Sequence, residues 1–486
     1  MTRLKENCGV VGATSKNDEV ANQIWLALLA LQHRGQEANG IFTFDGASFH
    51  QRKDVGLVSW SENYNSLKGT MGIGHVRYST VGKPAGPETR ANSLAVENFA
   101  QPFFIDHEKN GIAFSHNGNI VNNLELAREL TAKGIFLSSR NDSEVVLKTL
   151  VDHLRIERDL TNSVEKCMTR LEGSYSVTAL TGEEEVFAFR DPYGFRPLSM
   201  GKTDGLTMIA SETVALNVNG IDKVSDVAPG ELVVSSKENV WREQVIRNKR
   251  KAFCMFEFVY FSRPDSIQCG RDIYSARIEL GRKLAKTYEA SADIIVPVPD
   301  TARPAAEGIS RRTGIRVAEG LIKNRYIGRT FIMPSQQLRD DAVHVKLNPV
   351  RSVLKDKKVI VVDDSIVRGT TSRKIVNLVK QAGARKVEMW VTCPPIVSPC
   401  FYGIDIATHA ELIAAVKSVS KIQEAIGADR LCYQTIEGLV EAIGIPRDEL
   451  CMACLTGEYP TPIAQKVSDQ MRAKMPEGRV RYWEMA

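Results

Sequence analysis

The chain has 486 residues, 43% of them hydrophobic and 25% charged, with a formal net charge of +5. That length suits two to three domains, and the composition is that of an ordinary globular protein. The charge is too mild to demand a nucleic acid, though it suits a phosphorylated substrate. The chain also lacks an apolar run of the roughly 18 residues that a membrane span needs. Neither a nucleic acid nor a membrane is therefore expected as a partner.

The opening MTRLKEN lacks the apolar core of a signal peptide, which predicts a cytoplasmic protein. The nine cysteines are scattered and do not form a compact disulfide framework, as befits a reducing compartment. Two features stand out from buried-thiol background: Cys8, at the end of that polar leader, and the C-x-x-C pair Cys451 and Cys454.

In chain order, GVVGAT, GIFTF, GIGHVRYST and GIAFSHNGN read as strands running into turns. QIWLALLALQHRG reads as a helix, with Ile24, Leu28 and Leu31 at helical spacing and Gly35 as its expected stop. This half predicts helices packed on sheets. The basic stretch WREQVIRNKRKAF (241–253) is expected to join two domains. Beyond it, ADIIVPVPD, GIRVAEGLI, KKVIVVDDS and KVEMWVTCPP are apolar, β-branched strands, several followed by helical segments such as TSRKIVNLVKQAG. That alternation predicts a parallel sheet covered on both faces, with ligands at the carboxyl ends of its strands.

The most informative stretch is VIVVDDSIVRGTTSRKIV (359–376). An apolar strand ends in Asp363 and Asp364, followed by Ser365 and a loop with Gly369, Thr370 and Thr371 that opens a helix. Adjacent carboxylates accept hydrogen bonds from vicinal ribose hydroxyls. Glycine allows close backbone approach, and hydroxyls plus helix N-terminal N–H groups bind a phosphate. Either half alone could be a capping turn or a polar loop; the joint pattern after a buried strand points to a ribose phosphate.

The stretch resembles the phosphoribosylpyrophosphate (PRPP) motif of type I phosphoribosyltransferases. The resemblance implies that Asp300 in VPVPDTARPAA binds pyrophosphate, and that Thr301 with the acid pair contributes to a Mg²⁺ site. It also implies that residues 323–350 form a loop closing over PRPP. There Lys323, Arg325, Arg329 and Arg339 would meet diphosphate oxygens; read alone they are a solvated basic loop. Where that loop usually carries arginine before the x-K-L, this sequence has His344, which would make closure pH-sensitive.

The first half is similar to class II glutamine amidotransferase domains of the N-terminal-nucleophile (Ntn) type, on the ordered motifs CGVVG, LQHRGQEANG, GHVRYST, HNGN and NDSE. Residues 8 to about 460 together resemble the glutamine phosphoribosylpyrophosphate amidotransferase family. The implied fold is α/β and multi-domain: a leader over 1–7, an Ntn αββα sandwich over 8–240, a doubly wound parallel phosphoribosyltransferase sheet over 250–455, and a tail over 456–486.

The resemblance makes Cys8 the nucleophile, with its own α-amine as the base. An α-amine has a pKa of roughly 7.7–8.0, so part is neutral near pH 7. While residues 1–7 are attached that nitrogen is an amide, so the leader is expected to be removed. Arg77 would pair with the glutamine α-carboxylate and Asp142 with its α-ammonium. Asn117 and the Gly118 N–H would form the oxyanion hole, and Arg34 would support the site. His33, His75 and His116 read as packing or turn residues.

C-x-x-C alone could mark zinc, a redox pair or nothing. The bacillus-like and animal-like members of the family hold a [4Fe–4S] cluster, and their cysteine contexts match Cys254, Cys400, Cys451 and Cys454. Cys167, Cys269, Cys393 and Cys432 match no role and read as buried thiols. The implied reaction is glutamine hydrolysis at Cys8, with ammonia passing inside the protein to displace pyrophosphate from PRPP. The product is 5-phosphoribosylamine, at the first committed step of purine synthesis. Purine nucleotide inhibitors and a homotetramer or homodimer are implied by the resemblance only. Two rivals, a catalytically dead sensor and an aminating enzyme with an isomerase half, predict losses or motifs that this chain does not have.

Overall fold

The computed structural model describes residues 8–59, 64, 66–78, 100–106, 111–139, 141–324, 347–406 and 408–473. In the first half the strands are β1 (Gly9–Ser15), β2 (Ala38–Phe44), β3 (Phe49–Val55), β4 (Met71–Arg77), β5 (Phe103–Ile105) and β6 (Ile112–Ile120). They continue with β7 (Gly173–Thr181), β8 (Glu185–Arg190), β9 (Ser199–Lys202), β10 (Leu206–Ala210), β11 (Val224–Asp226), β12 (Glu231–Ser235) and β13 (Val240–Gln244). The helices among them include α1 (Ala21–Ala30), α2 (Asn123–Ala132), α3 (Asp142–Glu157) and α4 (Leu160–Arg170).

The described strands pair into two sheets, ordered β11-β9-β10-β1-β4-β2-β3 and β13-β12-β8-β7-β6-β5. Every residue of β1, β2 and β4 is buried, because each strand is covered on both faces. On one side Val11, Ile41 and Val76 meet Ile24 and Leu28 of α1. On the other, Phe42 and Ile73 meet Ala113, Leu180 and Val186 of the facing sheet. The outer face of that second sheet packs Phe114, Val177 and Phe189 against Val146, Leu150 and Val164 of α3 and α4. The result is four layers, helix–sheet–sheet–helix. Asn141 and Asp159 cap α3 and α4 by accepting from Ser143 N–H and Asn162 N–H.

Two local expectations are corrected. Helix α1 ends at Ala30, not at Gly35. Gly35 lies instead against the backbone of β4, where a Cβ would come within 2.5 Å of the Val76 carbonyl carbon, so its role is close approach. The stretch expected to join the domains begins inside β13, whose Trp241 pairs with Val234.

The second half opens with β14 (Phe253–Cys254) and a π-helical turn at Glu257–Phe261. It continues through α5 (Ile273–Thr287), β15 (Ile294–Pro297), α6 (Arg303–Thr313), β16 (Leu321–Lys323), β17 (Leu347–Pro349), β18 (Lys358–Asp363), α7 (Thr370–Gln381) and β19 (Lys386–Val391). The remaining principal elements are α8 (Val419–Ile426), β20 (Arg430–Tyr433), α9 (Ile436–Ile443), β21 (Leu450–Cys451) and α10 (Pro462–Ala473). Strands β15-β18-β19-β20 form a parallel sheet. Val359 and Val361 face a core with Ile375 and Val376, while Ile360 and Val362 face Ala305 and Ile309, the period-two alternation of a doubly covered sheet. GIRVAEGLI does not form a full strand: Val317 makes an isolated bridge to Ile295, and only Leu321–Lys323 pairs further. Within the expected tail, α10 packs Ala464, Val467 and Met471 with Val121, Phe195 and Phe401, so it bridges both halves.

Candidate functional site

Cys8 stands at the head of β1, whose Gly9 is in register with Val76 of β4. Its Sγ lies 3.5 Å from both the N–H and the carbonyl oxygen of Tyr78. Burial pushes the thiol's pKa up, while the Tyr78 backbone and Arg77 pull it down and Asp142 and Glu37 push it up. The balance leaves a protonated thiol at neutral pH, so attack on an amide requires a base. Those same influences place Arg77 and Asp142 near the sulfur. Arg77, at the end of β4, lies 3.5 Å from Glu37. Asp142, in the first turn of α3, accepts from Ile120 N–H at 3.2 Å.

Asn117 lies on β6, which packs against β1. Its side chain is completely buried, and neither its Oδ1 nor its Nδ2 has a hydrogen-bond partner. A buried unpaired amide is costly unless something binds there. Gly118 follows it, opposite Tyr175 of β7. His33 pairs with Glu212, His75 with the His116 carbonyl, and His116 with Ser143; none bonds the Cys8 thiol.

Arg34 donates from Nε to the Cys8 carbonyl at 3.3 Å. Its other nitrogens bind Glu212 and both oxygens of Glu257, the latter at 3.1 and 2.7 Å. Arg196 joins the same Glu257 at 3.1 Å. Sequence reading missed Glu37, Arg196, Glu212 and Glu257. Glu37 stood inside the LQHRGQEANG motif and Glu257 inside the CMFEFVYFSRPD stretch quoted for its cysteine, but the meaning of Glu257 depends on a partner 223 positions away.

In the second half, Asp363 ends β18 and Asp364 follows it, both buried. Asp364 accepts from Thr301 and from Ser365, each at 2.7 Å. Gly369 precedes α7 in a left-handed conformation, and Thr370 and Thr371 begin that helix. The acid pair, Ser365, Gly369, Thr370 and Thr371 line one cleft with Tyr260 and Arg368. Thr371 Oγ1 is buried there without a partner. Lys323 reaches Asp300 at 2.9 Å. Arg325, Arg329, Arg339 and His344 lie outside the described residues, as does the expected leader.

Cys254 is in parallel register with Cys451 where β14 meets β21. Each of the six pairs among Cys254, Cys400, Cys451 and Cys454 is close enough to interact electrostatically. All nine cysteines of the chain are unbridged. Burial pushes the Cys254 thiol up to about 12 and those of Cys451 and Cys454 well above the ordinary range. Cys167, Cys393 and Cys432 are buried, and Cys269 is partly buried.

Residues 88–218 match the glutamine amidotransferase domain family, and residues 265–424 match the phosphoribosyl transferase domain family. The amidophosphoribosyltransferase of Methanothermobacter thermautotrophicus is 44% identical over 473 residues, spanning 96% of this chain and 97% of that one. The Bacillus subtilis amidophosphoribosyltransferase is 41% identical over 472 residues, spanning 95% and 96%. The solved B. subtilis glutamine PRPP amidotransferase, complexed with ADP and GMP, superposes with a TM-score of 0.84 at 39% identity, over 94% of this chain and 98% of that one. A structure described as the allosteric regulatory enzyme of purine biosynthesis superposes with a TM-score of 0.85 at 40% identity, over 94% and 97%.

Fold and site thus define a glutamine amidotransferase of the Ntn type fused to a phosphoribosyltransferase. The chain belongs to the amidophosphoribosyltransferase family.

Proposed function

We propose that this chain transfers the amide nitrogen of glutamine to PRPP, forming 5-phosphoribosylamine, glutamate and pyrophosphate. The observation that carries the reading is a pairing within one chain. A half-buried thiol at the head of a sandwich strand has an unpartnered buried amide on the facing sheet, and a strand-ending acid pair stands over a threonine loop.

At the first site Arg77 pairs with the substrate α-carboxylate and Asp142 with its α-ammonium. Cys8 Sγ attacks the side-chain amide. Asn117 Nδ2 and the Gly118 N–H hold the developing oxyanion, where one such donor contributes about 3 kcal/mol to transition-state stabilisation. The proton leaves the thiol for the α-amine of Cys8 itself, which requires removal of residues 1–7. Ammonia departs, and water hydrolyses the thioester to glutamate. Arg34 fixes the backbone of Cys8 through its carbonyl.

At the second site Asp363 and Asp364 accept from the ribose hydroxyls, and Ser365, Gly369, Thr370 and Thr371 hold the 5-phosphate. Lys323, paired with Asp300 here, turns with Arg329 to the oxygens of the diphosphate, which binds at the Asp300 turn. The hydroxyl and carboxylate oxygens of Thr301, Asp363 and Asp364 suit Mg²⁺, which uses one or two protein oxygens and completes its shell with water and substrate phosphates. The ion would neutralise the departing diphosphate. Ammonia arriving through the protein attacks C1 as pyrophosphate leaves.

The four gathered cysteines fit a [4Fe–4S] cluster and the bacillus-like, animal-like branch. A cubane takes four soft thiolates, one at each of its iron corners, and four cysteines meet here. The cluster would tie β21 to β14. Purine nucleotides such as those bound to the B. subtilis structure are the expected inhibitors, a homotetramer or homodimer the expected assembly, and the cytoplasm the expected compartment.

The test is PRPP-dependent glutaminase activity, read with intact mass under anaerobic native conditions. Loss of residues 1–7, a mass excess of four irons and four sulfides, and glutaminase that rises with PRPP are expected. A processed chain whose glutaminase ignores PRPP overturns the coupled reading.

A further inference from the structure

Away from both sites, two polar side chains from two segments meet over one glycine, and His409, from a third segment, lies within reach of the charge on one of them. Gly457, two residues beyond the Cys454–Leu455 step, has φ +77°. A Cβ there would lie 2.5 Å from Arg472 Nη2 and 3.2 Å from Ser398 Oγ. The two groups thus approach one point beside a glycine, whose left-handed backbone favours a residue without a side chain.

Among the described residues none of the three has a hydrogen-bond or ion-pair partner. Ser398 is completely buried, and its Oγ has no hydrogen-bond partner. His409 is 4% exposed, and both its ring nitrogens lack partners. It lies close enough to Arg472 to feel its charge, and that charge together with burial keeps the imidazole neutral. Arg472, in the last turn of α10, makes no ion pair among the described residues. Thr408, next to His409, adds another buried hydroxyl without a partner. Buried polar groups left open in this number point to a bound group. The guanidinium fork can only donate and carries a positive charge, and the hydroxyl and one imidazole N–H can donate beside it, which suits an anion.

We propose that Ser398, His409 and Arg472 form an accessory oxyanion site, outside both substrate sites, that takes a phosphate group over the backbone of Gly457. Donors from three directions suit a tetrahedral anion with several acceptor oxygens. The site is wired to the PRPP cleft. Two residues past His409, Glu411 pairs with Arg368 at 3.0 Å, and Ile413 N–H donates to the Val367 carbonyl at 2.9 Å. Arg368 and Val367 line that cleft. Occupancy of the accessory site therefore bears on the loop that holds the ribose phosphate.

The experiment titrates inorganic phosphate calorimetrically into the full-length holoenzyme, Arg472→Gln, Ser398→Ala and Thr371→Val. Two classes of site are expected in the parent. Arg472→Gln should weaken one class by about tenfold or more, and Ser398→Ala the same class by about threefold. Thr371→Val should weaken only the other class. Equal melting temperatures for Ser398→Ala and the parent keep the comparison valid if Arg472→Gln folds poorly. Binding curves for Ser398→Ala and Arg472→Gln that superimpose on the parent overturn the proposal. So does phosphate binding that appears only when the chain is ended at Ala473, because the chain's own carboxylates would then fill the cradle.

Discussion

Arg34 and Glu257 form a bidentate ion pair with neither side chain exposed, and the same arginine donates to the carbonyl of Cys8. Glu257 also receives Arg196 and Ser262, so one carboxylate from the π-helical turn of the second half holds two cations of the first. Three residues on, Tyr260 lines the phosphoribosyl cleft. The two sites thus share one rigid turn.

Glu257→Ala takes a shared carboxylate from two guanidinium groups in a dry interior, leaving Arg34 with Glu212. Removing one partner of a buried pair costs about 3–5 kcal/mol. The unfolding midpoint in urea should fall accordingly, and glutaminase kcat should fall with it because Arg34 then holds the Cys8 carbonyl less firmly. Glu257→Gln keeps the shape and should fall between.

Asn117→Ala separates function from stability. Neither amide atom makes a hydrogen bond within the protein, so truncation forfeits none. Unfolding free energy should stay within about 1 kcal/mol of the parent or rise. Glutaminase kcat should drop about 100- to 1,000-fold. Ammonia-dependent phosphoribosylamine synthesis should be unchanged, which steady-state assays with each nitrogen donor would read.

Thr371→Val tests the second site by the same logic. The Oγ1 is buried and unpartnered, so its removal costs no internal hydrogen bond. A charged phosphate contact is worth about 1.5–3 kcal/mol. The KM for PRPP should therefore rise about tenfold or more, with an unchanged melting temperature.

Acid should destabilise the fold through His75 and His116. Burial holds His75 down to about 3 and holds His116 below its ordinary value. Both are neutral in the folded protein at pH values where the unfolded chain takes up protons. Stability is thus fully present above about pH 6.5 and falls as pH drops toward 3, by up to about 1.4 kcal/mol per pH unit through His75, with His116 acting in the same direction. His75→Gln should flatten that slope by about one proton in urea unfolding between pH 7 and pH 5.

Much of the second site was legible because its parts are local. The acid pair, Gly369 and the two threonines are contiguous, and a buried strand running into a capped helix has its own sequence signature. His33, His75 and His116 read as structural residues from the sequence, and each is hydrogen-bonded within the protein to a partner other than Cys8. Gly35 misled because a glycine after a helical run reads as a stop, whereas its reason is a strand backbone brought against it from residue 76. The helix at Pro462–Ala473 was missed because its apolar face is matched by residues near 121, 195 and 401.

By itself the sequence determined the chemistry of each segment: a thiol before a small apolar strand, carboxylates at the end of another, hydroxyls at a helix start, and four soft cysteines. These follow from residue type and from spacings of a few positions, where backbone geometry alone controls which groups share a face. Only the tertiary structure decided which segments meet. It placed Glu257 on Arg34, gathered Cys254, Cys400, Cys451 and Cys454, and left Asn117, Ser398 and His409 without partners. Such pairings arise from the packing of whole layers against one another, and burial gives them their energy by removing the water that would otherwise satisfy each group.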